Sequence, residues 1–272
     1  MPDSRPAPRP ADCAPMTSSS FSNELAGLAG HGFAAAAVFL LAGVIKGVIG
    51  LGLPTVSMGL LALWMRPVQA AALLIVPSLV TNVWQTGPRA TFLPVLRRIG
   101  GMQAGIVAGT LGGAWWLGVP AGAWASVALG VALVAYALWG LTGRQLKVAP
   151  AHERWLGPLV GIATGLVTAV TGVFVVPAVP YLQALGFQRD ALIQAMGISF
   201  TTSTVVLAIG LAGNGGYPLA VLGGSALMLV PAIAGMVLGT WLRQRLPVPM
   251  FRRCFLIGLG LLGAYMAVRA MG

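Results

Sequence analysis

What this chain can fold into is constrained first by its charge-poor runs. Apolar segments of roughly 20 residues recur from about residue 33 onward, the length a helix needs to cross about 30 Å of hydrocarbon. Only 8% of the 272 residues are Asp, Glu, Lys or Arg and 57% are hydrophobic. A soluble domain, in which charged residues make up about a quarter of the total, could not cover its surface with so little charge. The sequence therefore predicts an all-α polytopic membrane protein, with the lipid bilayer as its solvent.

Several other classes drop out. The net charge of +11 would suit nucleic acid, but the basic residues sit in short clusters between apolar segments and read as topology signals. No nucleic-acid partner is expected. Cys13 and Cys254 have no spacing for metal or redox work, and His31 and His152 stand alone. No nucleophile lies beside a base and no carboxylates pair, so neither an enzyme nor a cofactor or metal site is expected. The run GLGLLG at 258–263 matches a dinucleotide pattern only by composition, inside an apolar helix with no strand before it. Residues 1–30, rich in Pro, Ser and Ala, read as a disordered tail without a cleaved signal.

Six segments read as plain membrane helices: 67–86, 99–118, 121–141, 190–212, 219–241 and 251–270. Two more, 33–64 and 156–186, are too long for one span and too short for two, and Gly and Pro interrupt both. Interrupted segments at matching places in two halves point to a transporter's binding site. The halves do match: AGIVAGT at 104–110 returns as AGMVLGT at 234–240, and LGVP at 117–120 as LPVP at 246–249. The expected organisation is a first membrane repeat at 31–142, a cytoplasmic linker at 143–155 and a second repeat at 156–272.

Matched loops carry opposite charge. Arg89, Arg97 and Arg98 precede the 99–118 segment, whereas the matching stretch near 213–218 is neutral; Arg243, Arg245, Arg252 and Arg253 match a neutral stretch near 119. Under the positive-inside rule the 87–98 and 242–253 loops are cytoplasmic. Eight full crossings would put the four-arginine loop outside. If each long segment dips in and returns, the violation disappears. Each repeat then holds three crossings and one re-entrant hairpin, and the repeats are inverted.

The hairpin tips carry the candidate chemistry. In AGVIKGVIGLGLPTV at 42–56, Gly47, Gly50 and Gly52 allow close approach to the main chain and Pro54 restarts a helix. In the second tip the corresponding residues are Thr168, Thr171, Gly172 and Pro177. Helix-start N–H groups at such tips suit an anion. Lys46 stands at the first tip, in hydrocarbon that costs a lysine at least about 2.5 kcal/mol. No membrane segment supplies a carboxylate, so a bound anion is one counter-charge for Lys46; snorkelling to an interface is the other reading. Neighbouring segments add Asn82, Ser199 and Thr202, as anion contacts or as interhelical hydrogen bonds.

The stretches GVIGLGLP and RPVQAAALLIVPSLVTN, with GLVTAVTGVFVVPAVPYLQALG and QAMGISF in the second half, resemble the sulfite exporter TauE/SafE family, also called 4-toluene sulfonate uptake permeases. The resemblance covers roughly residues 33–270. It implies a secondary transporter of small anions, sulfite or organosulfonates, in the bacterial inner membrane, with glycine-rich motifs falling on Gly47, Gly50, Gly52 and Pro54 and on Gly165, Gly172 and Pro177. Val173, Phe174 and Val175 stand where the family has a glycine run. The combined expectation is alternating access around a midplane anion site, with a proton or sodium as the coupling ion. A small-carboxylate carrier and a non-transporting scaffold subunit are the alternatives.

Overall fold

The computed structural model describes residues 32–87, 89–118, 122–143, 146–213 and 219–271. The tail expected at 1–30 and the neutral stretches at 119–121 and 214–218 lie outside them. Among the described residues there are ten helices: α1 (Gly32–Ile49), α2 (Leu53–Leu61), α3 (Pro67–Gln85), α4 (Arg89–Leu117), α5 (Gly122–Thr142), α6 (Pro150–Thr171), α7 (Ala178–Ala184), α8 (Arg189–Gly213), α9 (Leu219–Leu242) and α10 (Val248–Met271). Seven, namely α1, α3, α5, α6, α8, α9 and α10, are long and apolar enough to cross a membrane. α4 has 29 residues, but glycines and its arginine-bearing start dilute its hydropathy.

Both long segments break where the sequence predicts. α1 ends at Ile49, the chain passes through Gly50 (φ 84°) and Gly52 (φ 112°), and α2 begins with Pro54 in its first turn. A positive φ at two positions in three excludes continuation of the helix and favours residues without a Cβ. The second break starts at Gly172 (φ 68°), the C-cap of α6, whose N–H donates to the Thr168 carbonyl at 2.8 Å. The chain after this break returns. The Val148 N–H donates to the Ala184 carbonyl at 3.0 Å, and the Tyr181 hydroxyl donates to the Glu153 carbonyl. The end of α7 therefore lies beside the start of α6.

Two boundaries differ from the sequence reading. The loop expected at 87–98 is mostly the first third of α4, and the linker expected at 143–155 ends where α6 begins at Pro150. Arginine is a good helix former, so a basic cluster marks a membrane edge without marking a loop. Arg98 shows what the cluster does there. It makes a two-point ion pair with Glu153, at 3.0 and 2.7 Å, and donates to the Leu185 carbonyl at 2.8 Å, tying α4 to both ends of the second hairpin.

The tightest seams are α4 with α6 and α1 with α9, followed by α5 with α10. In the α1–α9 seam a Cβ on Gly43 would collide with the Ala232 carbonyl, and one on Gly239 with that of Val44. In the α4–α6 seam Gly105 meets Pro158 and Gly161 meets Met102 in the same way. Without a hydrophobic driving force between helices in lipid, small residues that let backbones touch supply the packing. The remaining large contacts join α3 to α8 and α9, and α8 to α4.

Candidate functional site

Lys46 occupies the last turn of α1 and is 4% exposed. Its ammonium does not snorkel. It turns onto α3, donating to Thr81 Oγ1 at 3.0 Å and to Asn82 Oδ1. Each partner is itself fixed. The Thr81 hydroxyl donates to the Pro77 carbonyl at 2.6 Å. Asn82 Nδ2 donates to Ser78 Oγ at 3.0 Å and lies 3.4 Å from Thr204 Oγ1 on α8. Thr204 in turn donates to the Phe200 carbonyl. A polar chain thus runs from α1 through α3 to α8, every member buried. Inside a membrane such groups must find partners within the protein.

A cavity of about 620 Å³ opens beside this chain, lined by Lys46, Gly47, Gly50, Thr81, Gln85 and Thr240, with Trp84, Trp241, Arg243 and Gln244 toward its rim. Gln85 Nε2 donates to the Gly50 carbonyl at 2.7 Å, so the break after α1 is clamped to the end of α3. Gln194 of α8 donates to the Thr86 carbonyl one residue further on. The cavity sits at the C-terminal ends of α3 and α9. α1 continues to Ile49 before breaking, which brings Lys46 to the same cavity as Thr240 and Arg243.

The other sequence-chosen residues are not gathered there. Gly47 lines the cavity, but its open face is turned to the backbone of Met236 and Thr240 on α9. Gly52 and Pro54 are buried at the start of α2. At the second tip the Thr168 hydroxyl donates to the Thr164 carbonyl, the Thr171 hydroxyl to that of Val167, and Pro177 precedes α7. Gly172 touches Met58 of α2, which is where the two hairpins meet. Val173, Phe174 and Val175 are fully buried and Phe174 packs on Phe200, so apolar side chains fill the second tip where a glycine run would leave it open. Ser199 accepts from Gln103 of α4 at 2.9 Å, and Thr202 donates to the Ile198 carbonyl.

Sequence reasoning missed Arg243, Gln244, Thr240 and the two rim tryptophans as cavity residues. Arg243 reads as a topology marker from its loop position. Thr81 and Gln85 are visible as polar residues in PSLVTNVWQ, but only the fold shows that they face Lys46 and Gly50. Among the described residues no group of His, Cys, Asp or Glu could hold a metal ion.

Ten described helices, seven of them of spanning length, and a buried lysine beside a polar-lined cavity define a multi-pass membrane transporter. Residues 35–266 match the family model described as sulfite exporter TauE/SafE, and the chain belongs to that family of membrane transporters. Neither the curated proteins nor the solved structures give a match.

Proposed function

We propose that the chain is a secondary carrier of small anions, of the sulfite or organosulfonate type, in a bacterial inner membrane, and that the Lys46 cavity is its binding site. The observation that carries this reading is the buried ammonium. A lysine has three N–H donors, and Thr81 and Asn82, both neutral, take two of them. Both described acids, Glu153 and Asp190, lie in the first turns of α6 and α8, and neither lines the cavity. An oxyanion in the cavity supplies the missing negative charge and accepts the third donor, with Arg243 at the rim drawing it in. Sulfur as the central atom follows from the family alone.

The packing pattern supports an inverted repeat. If α1–α5 correspond in order to α6–α10, the α1–α9 seam corresponds to α6–α4 and α3–α9 to α8–α4, while α3–α8 and α5–α10 correspond to themselves. A two-fold relation between halves produces such a pattern. With arginines inside, the Lys46 cavity opens to the cytoplasm, and rocking of one half on the other would expose it alternately. Thr55, Ser57 and Ser203 carry buried hydroxyls with no partner among the described residues, which a path admitting water or anion would satisfy. The remaining tip residues, Thr168, Thr171, Gly172 and Pro177, with Ser199 and Thr202, would contact substrate only in a differently packed state.

Radiolabelled sulfite flux into proteoliposomes tests this reading, wild type beside Lys46→Met, with taurine and succinate as cold competitors. Saturable flux that collapses in the variant is expected. Displacement by succinate alone would make the protein a carboxylate carrier. Equal flux in both proteins would remove Lys46 from the site.

A further inference from the structure

The two helix breaks close in the same way but differ in what stands beside them. The Gly50 N–H donates to the Lys46 carbonyl at 2.7 Å, and the Gly172 N–H to the Thr168 carbonyl at 2.8 Å. Thr168 thus holds at the end of α6 the position that Lys46 holds at the end of α1. A helix C-terminus is the negative end of the dipole and favours a cation. α1 has one in its last turn, and α6 has none.

Two other helices bring buried oxygens to the end of α6. Gln103 Nε2 of α4 donates to Ser199 Oγ of α8 at 2.9 Å. Further along, a Cβ on Gly210 would lie 3.1 Å from that of Ala114. The same number of residues separates these contacts on each helix, so α4 and α8 run parallel and in register. Thr110 lies one turn before Ala114 and Ser203 one turn after Ser199, which puts their levels about 4.5 Å apart. α6 closes on the same stretch, where a Cβ on Gly165 would sit 2.5 Å from the Thr110 nitrogen. Thr164 and Thr168, on either side of Gly165, are fully buried.

Thr110 Oγ1 and Ser203 Oγ are buried and have no hydrogen-bond partner among the described residues. The Thr164 and Thr168 hydroxyls donate to carbonyls one turn back, at 2.7 Å each, which leaves their lone pairs facing outward from α6. The acids and bases that α4, α6 and α8 carry lie far off. Arg98 is about 18 Å of rise before Thr110, Arg154 about 15 Å before Thr164 and Asp190 about 20 Å before Ser203. An anion here would meet the negative end of α6 without a cation on these helices to offset it. A divalent cation would lack the carboxylates that hold such ions. Neutral oxygens at a helix C-terminus suit a singly charged hard cation, and broken helices in carriers hold sodium in this manner.

We infer that a sodium ion binds between α4, α6 and α8, at Thr110, Ser203, Thr164 and Thr168, where it takes the place that the Lys46 ammonium takes at α1. Ser203 is next to Thr204, the end of the polar chain from Lys46, so the ion and an anion beside Lys46 would lie on two faces of α8 and attract each other. That the ion drives transport rests on the carrier reading above; its binding does not.

Thermal unfolding of the full chain in detergent, without sulfite, tests the site. Sodium chloride should raise the unfolding temperature of wild type and of Thr110→Ser above its value in equal choline chloride. In Thr110→Val the sodium concentration giving half the rise should increase roughly tenfold. Equal unfolding temperatures in sodium and choline for wild type, the result that a buried water alone would give, overturn the inference. An undiminished sodium response in Thr110→Val overturns its placement. In proteoliposomes an inward sodium gradient should accelerate sulfite uptake by wild type more than by Thr110→Val; uptake indifferent to sodium removes the coupling role. Failure of the carrier reading appears separately, as unchanged flux in Lys46→Met with the sodium-dependent unfolding shift intact.

Discussion

Lys46 Nζ lies 3.0 Å from Thr81 Oγ1, and the same ammonium bonds Asn82, so one side chain of α1 is fixed by two consecutive residues of α3. This arrangement orients the amine without neutralising it. Removing either acceptor should therefore change how tightly an anion is held more than whether the protein folds. Interhelical hydrogen bonds in membrane bundles contribute about 0.6 kcal/mol on average, so Asn82→Leu should shift thermal unfolding in detergent only slightly while raising the half-saturation for flux several-fold. Lys46→Met and Asn82→Leu act on one unit, so the flux of the double variant should match that of Lys46→Met alone. Additive losses would show that Asn82 contributes through Thr204 and Ser78 instead.

The glycine seams predict a sharp positional contrast. A side chain at Gly239 would strike the Val44 carbonyl, whereas one at Gly112, on α4 but off its seam with α6, meets nothing within 4 Å. Gly239→Leu should cost about 1–3 kcal/mol by overpacking, read as a lowered unfolding temperature. Gly112→Ala should leave stability within about 0.5 kcal/mol. Similar losses at both positions would mean that α1 and α9 do not approach as closely as described.

The fold was largely legible because hydropathy and helix breakers act locally. The break at Gly50–Pro54 follows from three residues whose backbone preferences no neighbour can override. Gly101, Gly105 and Gly109 share one face of α4 and so permit a close helix contact, but only the fold shows that α6 is the partner. The site was less legible because it depends on which face each helix presents. Nothing local in PSLVTNVWQ says that Thr81 and Gln85 face α1. Nothing near Arg243 says that α1 runs deep enough to bring Lys46 beside it. The second tip misled for a related reason. Its threonines look available in sequence, but their hydroxyls are spent on carbonyls one turn back, at 2.7 Å for both Thr168 and Thr171.

The filled second tip gives a prediction of its own. Phe174 is fully buried against Phe200, and truncating a buried phenylalanine costs about 3–5 kcal/mol. Phe174→Ala should lower the unfolding temperature more than Thr171→Val, which removes two local hydrogen bonds, to the Val167 carbonyl and from the Val173 N–H, each worth about 1 kcal/mol. Equal effects would indicate that the tip is open and wet, and would make Thr171 a candidate substrate contact again.

The returning hairpin can be tested chemically. α6 has 22 residues, enough at 1.5 Å each to cross the hydrocarbon, so a single crossing by α6 and α7 together would put the chain before α6 and the chain after α7 on opposite sides. The hydrogen bond between Val148 and Ala184 requires the same side. In a background with Cys13 and Cys254 replaced by Ser, single cysteines at Lys147 and Gln188, both exposed, should react with a membrane-impermeant maleimide from one and the same face of sealed vesicles. Arg66→Cys should react from the other face. Labelling of the Lys147 and Gln188 positions from opposite faces would replace the hairpin with a full crossing, and with it the inverted arrangement of the two halves.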